Sequence, residues 1–599
     1  MKPVRLPAAA TLALPRWALY ALGLLYILPG LIGRDPWKDD AGSFGIMWTM
    51  AHGGLQDWLL PNIAGLPAPE EGPLAFWLGA LSIKLFGWLV GDVLGARIST
   101  IAIFALGTVS LWQTAFRLGR RAEAQPLRLA FGGQPEPDDY GRTLADTAVL
   151  IYLGCLGLLL QSHETLAVTL QGSLLAWFLH RSVRYIEEAS TRNAALAGVA
   201  LGALTLTRGF ASPIVLLAAL FLCTRLLRLS AHASLRGLAV IAGTAFLVAM
   251  VWILPAGLAH PYGQAPVAEW VDWNMGQLSL PTLFSLKAFC RVGIWYFWPA
   301  WPFAAWAGWA WRRQRGLLHI ILPTCFVGAL ALLILCDPVP ENGDLLKLLP
   351  PMALMAAFGL PTMKRGAING IDWFSVMVLT LLGALVWLFW IAKLTGWPVK
   401  AANNVLKLVP GFKPEFGLAA FIVAVAVSVG WIVLVHWRLS RQPSVLWRAV
   451  VLSSGGMILL WVLLMTLFLP ELNYSKSYAS VAQQIAARLP ADTDCIDTNV
   501  GPAQRASFAY FGHLPFAGVD GGRCSFLLLQ DSLRHTHAAN AANAAGAKAN
   551  EQQVIQHGDG YMGGHEVLSS FRPRDWTLLW EGRRPSDRDE RFRLFRRAR

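Results

Sequence analysis

The sequence predicts a polytopic α-helical membrane protein with about thirteen transmembrane helices and a small C-terminal α/β domain. Of its 599 residues, 55% are hydrophobic and only 14% are charged, whereas a soluble protein carries roughly 25% charged residues. Apolar runs of bilayer-spanning length recur within 17–469, and the polar remainder contains strand-like runs. Despite a net charge of +14, this composition excludes a cytosolic enzyme, a disordered chain and a protein devoted to binding nucleic acid.

The predicted spans are separated by connections that alternate in charge. Lysines and arginines cluster in every second connection, and acidic residues collect in the others. Because basic connections stay on the cytoplasmic side, we expect a bacterial inner-membrane protein with a cytoplasmic N-terminus and a periplasmic C-terminal domain. The predicted spans are 17–33, 98–116, 145–160, 168–180, 194–207, 211–228, 236–259, 291–311, 317–336, 346–362, 373–393, 416–437 and 447–469.

The alternation holds only if the apolar stretch 73–90 does not cross the membrane. Lys84 interrupts this stretch, and we predict that it forms an interfacial or re-entrant helix. The first periplasmic loop then extends over 34–97, and a second large periplasmic loop covers 260–290. The predicted domains are a membrane domain, 1–470, and a periplasmic domain, 471–599.

The periplasmic domain is expected to combine one helix with several strands. A helical run near Tyr478–Leu489 precedes the strand-like runs, and the Ala-, Asn- and Gly-rich stretch 534–565 is predicted to be a mobile loop. Cys495 and Cys524 could pair in an oxidising periplasm or remain two buried thiols. The strand-like runs are Cys495–Asn499, Ser507–Phe511, Ser525–Gln530, Trp576–Trp580 and Phe592–Phe595.

Two adjacent carboxylates, Asp39 and Asp40, follow the first predicted span. The spans themselves are almost free of charge, so we expect chemistry at the outer membrane surface rather than along a transport path. Desolvation at the bilayer edge raises the basicity of a carboxylate, which would suit Asp40 as a general base for a substrate hydroxyl. The alternative is that Asp39 or Asp40 caps a helix that begins at Ala41.

Four short motifs follow the first predicted span, in the first outer loop and at the ends of later spans. They are Arg34–Trp37 with Asp40 shortly after it, Glu71–Trp77, Ala96–Ser99 and Leu206–Gly209. Together they resemble the GT-C superfamily of integral-membrane glycosyltransferases, within it the group of protein O-mannosyltransferases and lipid A aminoarabinose transferases. The resemblance covers 15–360 and extends to the tail by architecture alone.

The resemblance implies an inverting transfer of a sugar from a polyprenyl-phosphate donor to a glycolipid, such as lipid A, or to a protein. Membrane lipids are further expected partners, and nucleic acid is not. The first-loop acid of the family corresponds to Asp40, with Asp39 and Glu164 as further catalytic candidates. Basic groups must meet the leaving phosphate, although a lysine or arginine at a span end can also simply snorkel. The candidates for phosphate binding are Arg208, Lys347 and Arg291.

Three departures from the family pattern mark a divergent branch. Ala41 stands where the family has a Glu, Gly72 where it has a Lys, and Gln171 where it has an acid, for which Glu164 is a candidate substitute. These departures keep a second interpretation open, a non-catalytic protein of the same fold that binds polyprenyl lipids. A transporter is a third, but it predicts charged groups inside the spans and pseudo-symmetric halves, and neither is visible.

The remaining candidates concern the sugars and a metal. Glu71 and His260 could together hold a divalent metal ion, or His260 could be a hydrogen-bonded interfacial residue, since one such pair falls short of the usual ligand set. The candidates for contact with donor or acceptor are Glu71, Gln171, Trp270 and Asp272.

Overall fold

The computed structural model describes residues 4, 6–11, 14–68, 71–128, 133–228, 231–259, 266–338, 341–441, 446–518, 524–532, 575–587 and 589–598. His260 and the predicted mobile loop 534–565 lie outside the described residues.

Helices make up most of the described chain up to Lys476. A small hairpin of β1 (Asn62–Ile63) and β2 (Leu66–Pro67) lies in the first loop, and one 3₁₀ helix, Asn342–Leu348, matters for the site. The α-helices of this part are α1 (Arg16–Ile27), α2 (Asp39–His52), α3 (Leu55–Leu59), α4 (Leu74–Val90), α5 (Asp92–Arg120), α6 (Pro137–Leu153), α7 (Leu156–Gln161), α8 (Ala167–Glu187), α9 (Thr191–Arg208), α10 (Ala211–Leu226), α11 (Ala231–Leu258), α12 (Pro266–Gly276), α13 (Leu283–Tyr296), α14 (Ala300–Ala310), α15 (Leu318–Leu335), α16 (Leu349–Gly359), α17 (Arg365–Thr395), α18 (Val399–Leu408), α19 (Leu418–Arg441), α20 (Arg448–Leu467) and α21 (Leu469–Lys476).

The chain is a multi-pass membrane protein. Within the described residues, 7 helical segments are long and apolar enough to cross a bilayer. Three shorter apolar helices accompany them, namely α1, α4 and α10. Helices occupy the positions of all the predicted spans, but 145–160 is divided between α6 and α7, and 291–311 between α13 and α14. The count of thirteen crossings stays a prediction. The segments of spanning length are Asp92–Arg120, Leu235–Leu258, Leu318–Leu335, Asn342–Thr362, Gly366–Thr395, Leu418–Arg438 and Val450–Leu467.

Helix α16 forms the centre of the bundle. Nearly every one of its residues is buried, and it packs against α5, α6, α8, α14 and α15. The 3₁₀ helix that leads into α16 is buried as well, although it carries Asp344 and Lys347. The buried ends of central helices therefore place charged side chains inside an apolar bundle, where each of them needs a partner.

The apolar stretch 73–90 forms one continuous helix, α4, which pairs with α2 and α5. A turn at Gly91, whose φ of +81° suits glycine, reverses the chain into α5. The two helices approach so closely that a Cβ on Gly95 would lie 3.1 Å from the Cα of Gly87. Whether α4 stays at the interface remains a prediction.

The C-terminal part contains a small four-stranded sheet with two helices. The sheet order is β3–β4–β6–β5, with β3 parallel to β4 and the other pairs antiparallel. Cys495 and Cys524 form a disulfide beside the first two of these strands, which resolves the open alternative in favour of pairing. The elements are α22 (Ala479–Ala486), β3 (Ile496–Thr498), α23 (Pro502–Gly512), β4 (Phe526–Ser532), β5 (Trp576–Gly582) and β6 (Glu590–Arg597).

One strand prediction is wrong, because Ser507–Phe511 belongs to helix α23. Pro502 at the start of that helix has the φ that a first helical turn requires and lacks only an N–H that would be unpaired there. Ala506, Phe508 and Ala509 are buried. Over so few residues, the spacing of these apolar residues in the sequence resembles the alternation of apolar and polar residues in a short strand.

Helix α23 docks the C-terminal domain onto α2 of the first loop. Ala506 packs so tightly against Gly45 that a Cβ on that glycine would lie 2.4 Å from the Cβ of Ala506. Arg505 reaches into the loop and donates hydrogen bonds to the carbonyl oxygens of Ile63 and Ala64. The helix that begins with Asp39 and Asp40 is thus supported by the C-terminal domain.

Candidate functional site

Asp40 lies in the first turn of α2 and is only 1% exposed. One carboxylate oxygen accepts hydrogen bonds from Arg34 at 2.9 Å and from Arg97 at 2.8 Å. The other accepts from the backbone N–H and the hydroxyl of Thr165 at 2.7 and 2.9 Å. Both oxygens are therefore occupied, and Asp40 joins the first loop to α5 and to the segment before α8.

This environment corrects the expectation for Asp40. Burial by itself raises the pKa of its carboxyl, but the charges of Arg34 and Arg97 and the hydrogen bond from Thr165 outweigh burial, so the pKa lies below its ordinary value. The expectation that desolvation makes Asp40 basic is wrong, because two guanidinium groups stabilise its charged form.

The capping interpretation is also wrong. Helix α2 begins at Asp39 itself, and the residue that precedes it is Lys38, without any side-chain cap. Lys38 has a φ of 52°, a left-handed conformation that a residue with a side chain adopts only when its surroundings enforce it. Two residues later, the contacts of Asp40 with Arg34, Arg97 and Thr165 hold this part of the chain in place.

Glu164 has the opposite environment. It is 7% exposed, and its carboxylate forms no hydrogen bond or ion pair with the other described residues. Burial raises its pKa to about 8, with Arg34 lowering the pKa and the charges of Asp40 and Asp39 raising it. A carboxyl with a pKa close to physiological pH can both accept and release a proton, which is the property of a general base.

Asp39 is the exposed member of the acidic group. Partial loss of hydration, and after it the negative charge of Glu341, raise the pKa of Asp39. Glu341 lies just before the 3₁₀ helix that carries Asp344 and Lys347. The acidic group of the first loop and the basic group described next are therefore electrostatic neighbours.

Arg208, at the end of α9, is surrounded by three carboxylates. Its guanidinium lies 3.0 Å from Glu341, 3.4 Å from Asp344 and 3.7 Å from Glu71. Asp344 also binds Lys347 at 2.9 Å, so it bridges the two cations. Arg208, Asp344 and Lys347 are buried, whereas the Glu341 side chain is 62% exposed. Glu341 is the carboxylate that a competing anion can most easily replace.

Arg208 and Lys347 line the same cleft. Trp273 forms part of the wall, with its ring 5.6 Å from the Arg208 guanidinium. Gln171 is buried and its side-chain oxygen lacks a hydrogen-bond partner within the described residues. The complete lining is Gln171, Arg208, Gly209, Ala211, Ser212, Trp273, Asn274, Gln277, Asp344 and Lys347.

Three predicted site residues lie elsewhere. Arg291 and Asp272 are exposed and do not line the cleft. Trp270 is buried in a separate apolar cluster, where its ring packs edge-on against Phe210 and Trp252. Trp270 therefore does not line the cleft, whereas its neighbour Trp273 does, and contact of Trp270 with a sugar stays a prediction. The burial of Trp270 could not be predicted from the sequence of its loop.

A metal ion held by Glu71 and His260 stays a prediction, because His260 lies outside the described residues. Glu71 itself pairs with Arg208, and among the described residues no group of three or more His, Cys, Asp or Glu side chains could hold a metal.

Comparison with known proteins identifies the fold. No protein-family model matches the sequence, and no curated protein does so. The crystal structure of ArnT from Cupriavidus metallidurans bound to undecaprenyl phosphate is similar, with a TM-score of 0.63, 14% identity and coverage of 96% of this chain and 97% of that chain. The chain has the fold of ArnT. The apo structure of ArnT gives a TM-score of 0.59 at 15% identity, again over 96% of this chain and 97% of that chain. The fold predicted from the sequence motifs is thus confirmed.

Sequence reasoning missed the partners of the catalytic candidates. In the sequence, Arg34 and Arg97 stand out only as parts of motifs, and Asp344 and Glu341 only as loop acids. Arg97 stands immediately before the predicted span 98–116, where an arginine can simply snorkel, so its position gave no sign of a buried partner. The identity of that partner, Asp40, depends on the tertiary fold, because 57 residues separate the two.

Proposed function

We propose that the protein is an inverting glycosyltransferase that moves a sugar from a polyprenyl-phosphate donor to an acceptor at the outer face of the membrane. The observation that carries the proposal is that two buried cations, Arg208 and Lys347, line one cleft. Glu341, which contacts Arg208, also raises the pKa of Asp39, and the charge of Asp39 in turn acts on Glu164, whose pKa is about 8. The shared fold supports it, because ArnT has been crystallised with undecaprenyl phosphate.

The donor phosphate is proposed to bind at Arg208 and Lys347. Arg208 offers a planar set of donors suited to a phosphate, and Lys347 adds a compact charge. Asp344 and Glu71 keep the two cations in place before the donor arrives. The phosphate takes the position of the exposed Glu341 carboxylate, whose contact with Arg208 is the one that opens toward solvent.

Glu164 is the proposed general base. The acceptor oxygen forms a bond to the anomeric carbon while its proton passes to Glu164, and the bond from that carbon to the phosphate oxygen breaks. The electron pair leaves with the polyprenyl phosphate, whose charge Arg208 and Lys347 stabilise. The negative charge of Asp39 favours the positive character that develops on the sugar ring. One displacement of this kind inverts the anomeric centre.

The proposed location is the bacterial inner membrane, with the N-terminus in the cytoplasm and the C-terminal domain in the periplasm. The Cys495–Cys524 disulfide supports this orientation, since disulfides form and persist in oxidising compartments. The acceptor is proposed to be a glycolipid, such as lipid A, or a periplasmic protein.

The test compares cells that produce the parent protein with cells that produce Glu164→Gln or Arg208→Gln. Mass spectrometry of envelope glycolipids and glycoproteins should reveal a sugar modification that depends on the parent and disappears in both variants. Glu415→Gln, an exposed acid in the loop between α18 and α19, serves as the matched control and should leave the modification intact.

Binding of undecaprenyl phosphate to the purified protein separates catalysis from lipid binding. Glu164→Gln should bind this lipid as well as the parent does, whereas Arg208→Gln should bind it at least tenfold more weakly. A modification that persists in Glu164→Gln refutes the proposed base. Lipid binding without any sugar modification in the parent supports the non-catalytic interpretation instead.

A further inference from the structure

Most of the residues that line the cleft are uncharged, and four of them, Gln171, Ser212, Trp273 and Gln277, are here termed the uncharged wall. The carboxylates close to the cleft, Glu71, Glu341 and Asp344, all contact Arg208. The cleft thus combines cations suited to a phosphate with side chains that offer neutral amide, hydroxyl and aromatic groups.

Gln171 is the informative residue of the uncharged wall. It is 2% exposed, and its carbonyl oxygen has no hydrogen-bond partner within the described residues. Its amide nitrogen lies 3.5 Å from the Ser212 hydroxyl, which is the outer limit of a hydrogen bond. A buried carbonyl without a partner is unfavourable, so the Gln171–Ser212 pair is prepared for a group that donates and accepts hydrogen bonds.

The ligand group that fits is a hydroxyl. An alcohol can donate to the Gln171 oxygen and accept from the Gln171 amide or the Ser212 hydroxyl. An ammonium or carboxylate group at the same place would lose its hydration, and the charged residues of the cleft, Arg208, Asp344 and Lys347, are already paired with one another, so burial of a further charge is unfavourable. The ring of Trp273 adds an apolar surface of the kind on which the C–H face of a sugar packs.

We propose that the uncharged wall binds the sugar ring of the donor and selects a neutral sugar, one with hydroxyl groups but without an amino or carboxylate substituent at the Gln171 position. This inference rests on the proposed function, because it assumes that the donor phosphate lies at Arg208 and Lys347.

The test measures binding of three probes to the purified protein, namely undecaprenyl phosphate, undecaprenyl phosphate glucose and undecaprenyl phosphate 4-amino-4-deoxyarabinose. The parent should bind the glucose lipid about five- to tenfold more tightly than undecaprenyl phosphate, and the amino-sugar lipid no more tightly than undecaprenyl phosphate. Gln171→Leu should remove the advantage of the glucose lipid and leave binding of undecaprenyl phosphate unchanged.

The matched control is Gln113→Leu, the same chemical change at an exposed position of α5, which should retain the full preference of the parent. If Gln171→Leu fails to fold, Ser212→Ala tests the same hydrogen-bonding pair and should weaken the preference at least twofold.

The outcomes separate the two proposals. If undecaprenyl phosphate itself does not bind, the phosphate site and the proposed function fail, and the inference about the sugar fails with them. If undecaprenyl phosphate binds but glucose adds no affinity, or if the amino-sugar lipid binds as tightly as the glucose lipid, the neutral-sugar inference alone is refuted. A preference that survives in folded Gln171→Leu also refutes it.

Discussion

Replacing Asp40 by Asn should reduce the stability of the protein rather than only its activity. Asn keeps an oxygen that can accept from Thr165, but it removes the charge that compensates Arg34 and Arg97. Its NH₂ group is a donor and would face the guanidinium groups of Arg34 and Arg97, which are donors as well. Two buried cations are left without their counter-ion.

The expected cost follows from the contacts in the structure. The two ion pairs are 2.9 and 2.8 Å long and almost completely buried. Removal of one partner of a buried ion pair costs about 3–5 kcal/mol, which lowers the ratio of folded to unfolded protein by a factor of about 100 to several thousand. Removal of one of the cations in addition, as in Asp40→Asn with Arg97→Gln, should recover part of this loss.

The assay is thermal unfolding of the purified variants in one detergent, together with sugar transfer at a temperature where each variant is folded. Asp492→Asn, an exposed acid of the C-terminal domain, is the matched control and should unfold with the parent. If Asp40→Asn also unfolds with the parent yet loses transfer more than a hundredfold, Asp40 acts in the chemistry and its structural role as the counter-ion of Arg34 and Arg97 is refuted.

Three further predictions concern the site and its support. Glu164 must be deprotonated to act as a base and its pKa is raised to about 8, so kcat/KM should rise as the pH approaches about 8. Glu164→Gln should lose about 10²- to 10⁴-fold in kcat. A kcat/KM that does not change between pH 6 and 9 would exclude Glu164 as the base. Glu341→Gln should bind undecaprenyl phosphate a few-fold more tightly than the parent, and this gain should vanish in the Arg208→Gln background if the two anions compete for Arg208. Gly45→Val should push Ala506 away from α2 and make the C-terminal domain more sensitive to limited proteolysis, while an unchanged digestion pattern would show that the domain is held by other contacts.

The helices could be predicted well because their signal is local. The lack of charge and the length of the apolar runs indicate a membrane helix without knowledge of its neighbours. The tail was harder, since Ser507–Phe511 has apolar residues at spacings compatible with either a short strand or a helical face. The helix is decided by packing of Ala506 against Gly45, a contact between segments more than four hundred residues apart.

The site was predictable in its residues but not in their roles. Sequence motifs singled out Asp40, Glu164, Arg208 and Lys347, and the structure brings the last two into one cleft. Their protonation depends on neighbours that are distant in sequence. Arg97 was visible only as a charge at the edge of a predicted span, and its effect on Asp40 follows from the approach of α5 to the first loop.

The contrast between Asp40 and Glu164 provides the strongest physical argument for a catalytic site. Both carboxyls are buried, so burial raises both pKa values, yet the outcome differs because Arg34 and Arg97 contact Asp40 directly and only influence Glu164 from a distance. Asp40 therefore remains charged and neutralises the arginines, and its own negative charge helps to raise the pKa of Glu164. A pair of carboxyls whose pKa values are separated in this way can divide structural and proton-transfer roles. The same arginine–aspartate arrangement that fixes the first loop thus also prepares Glu164 to take a proton from the acceptor.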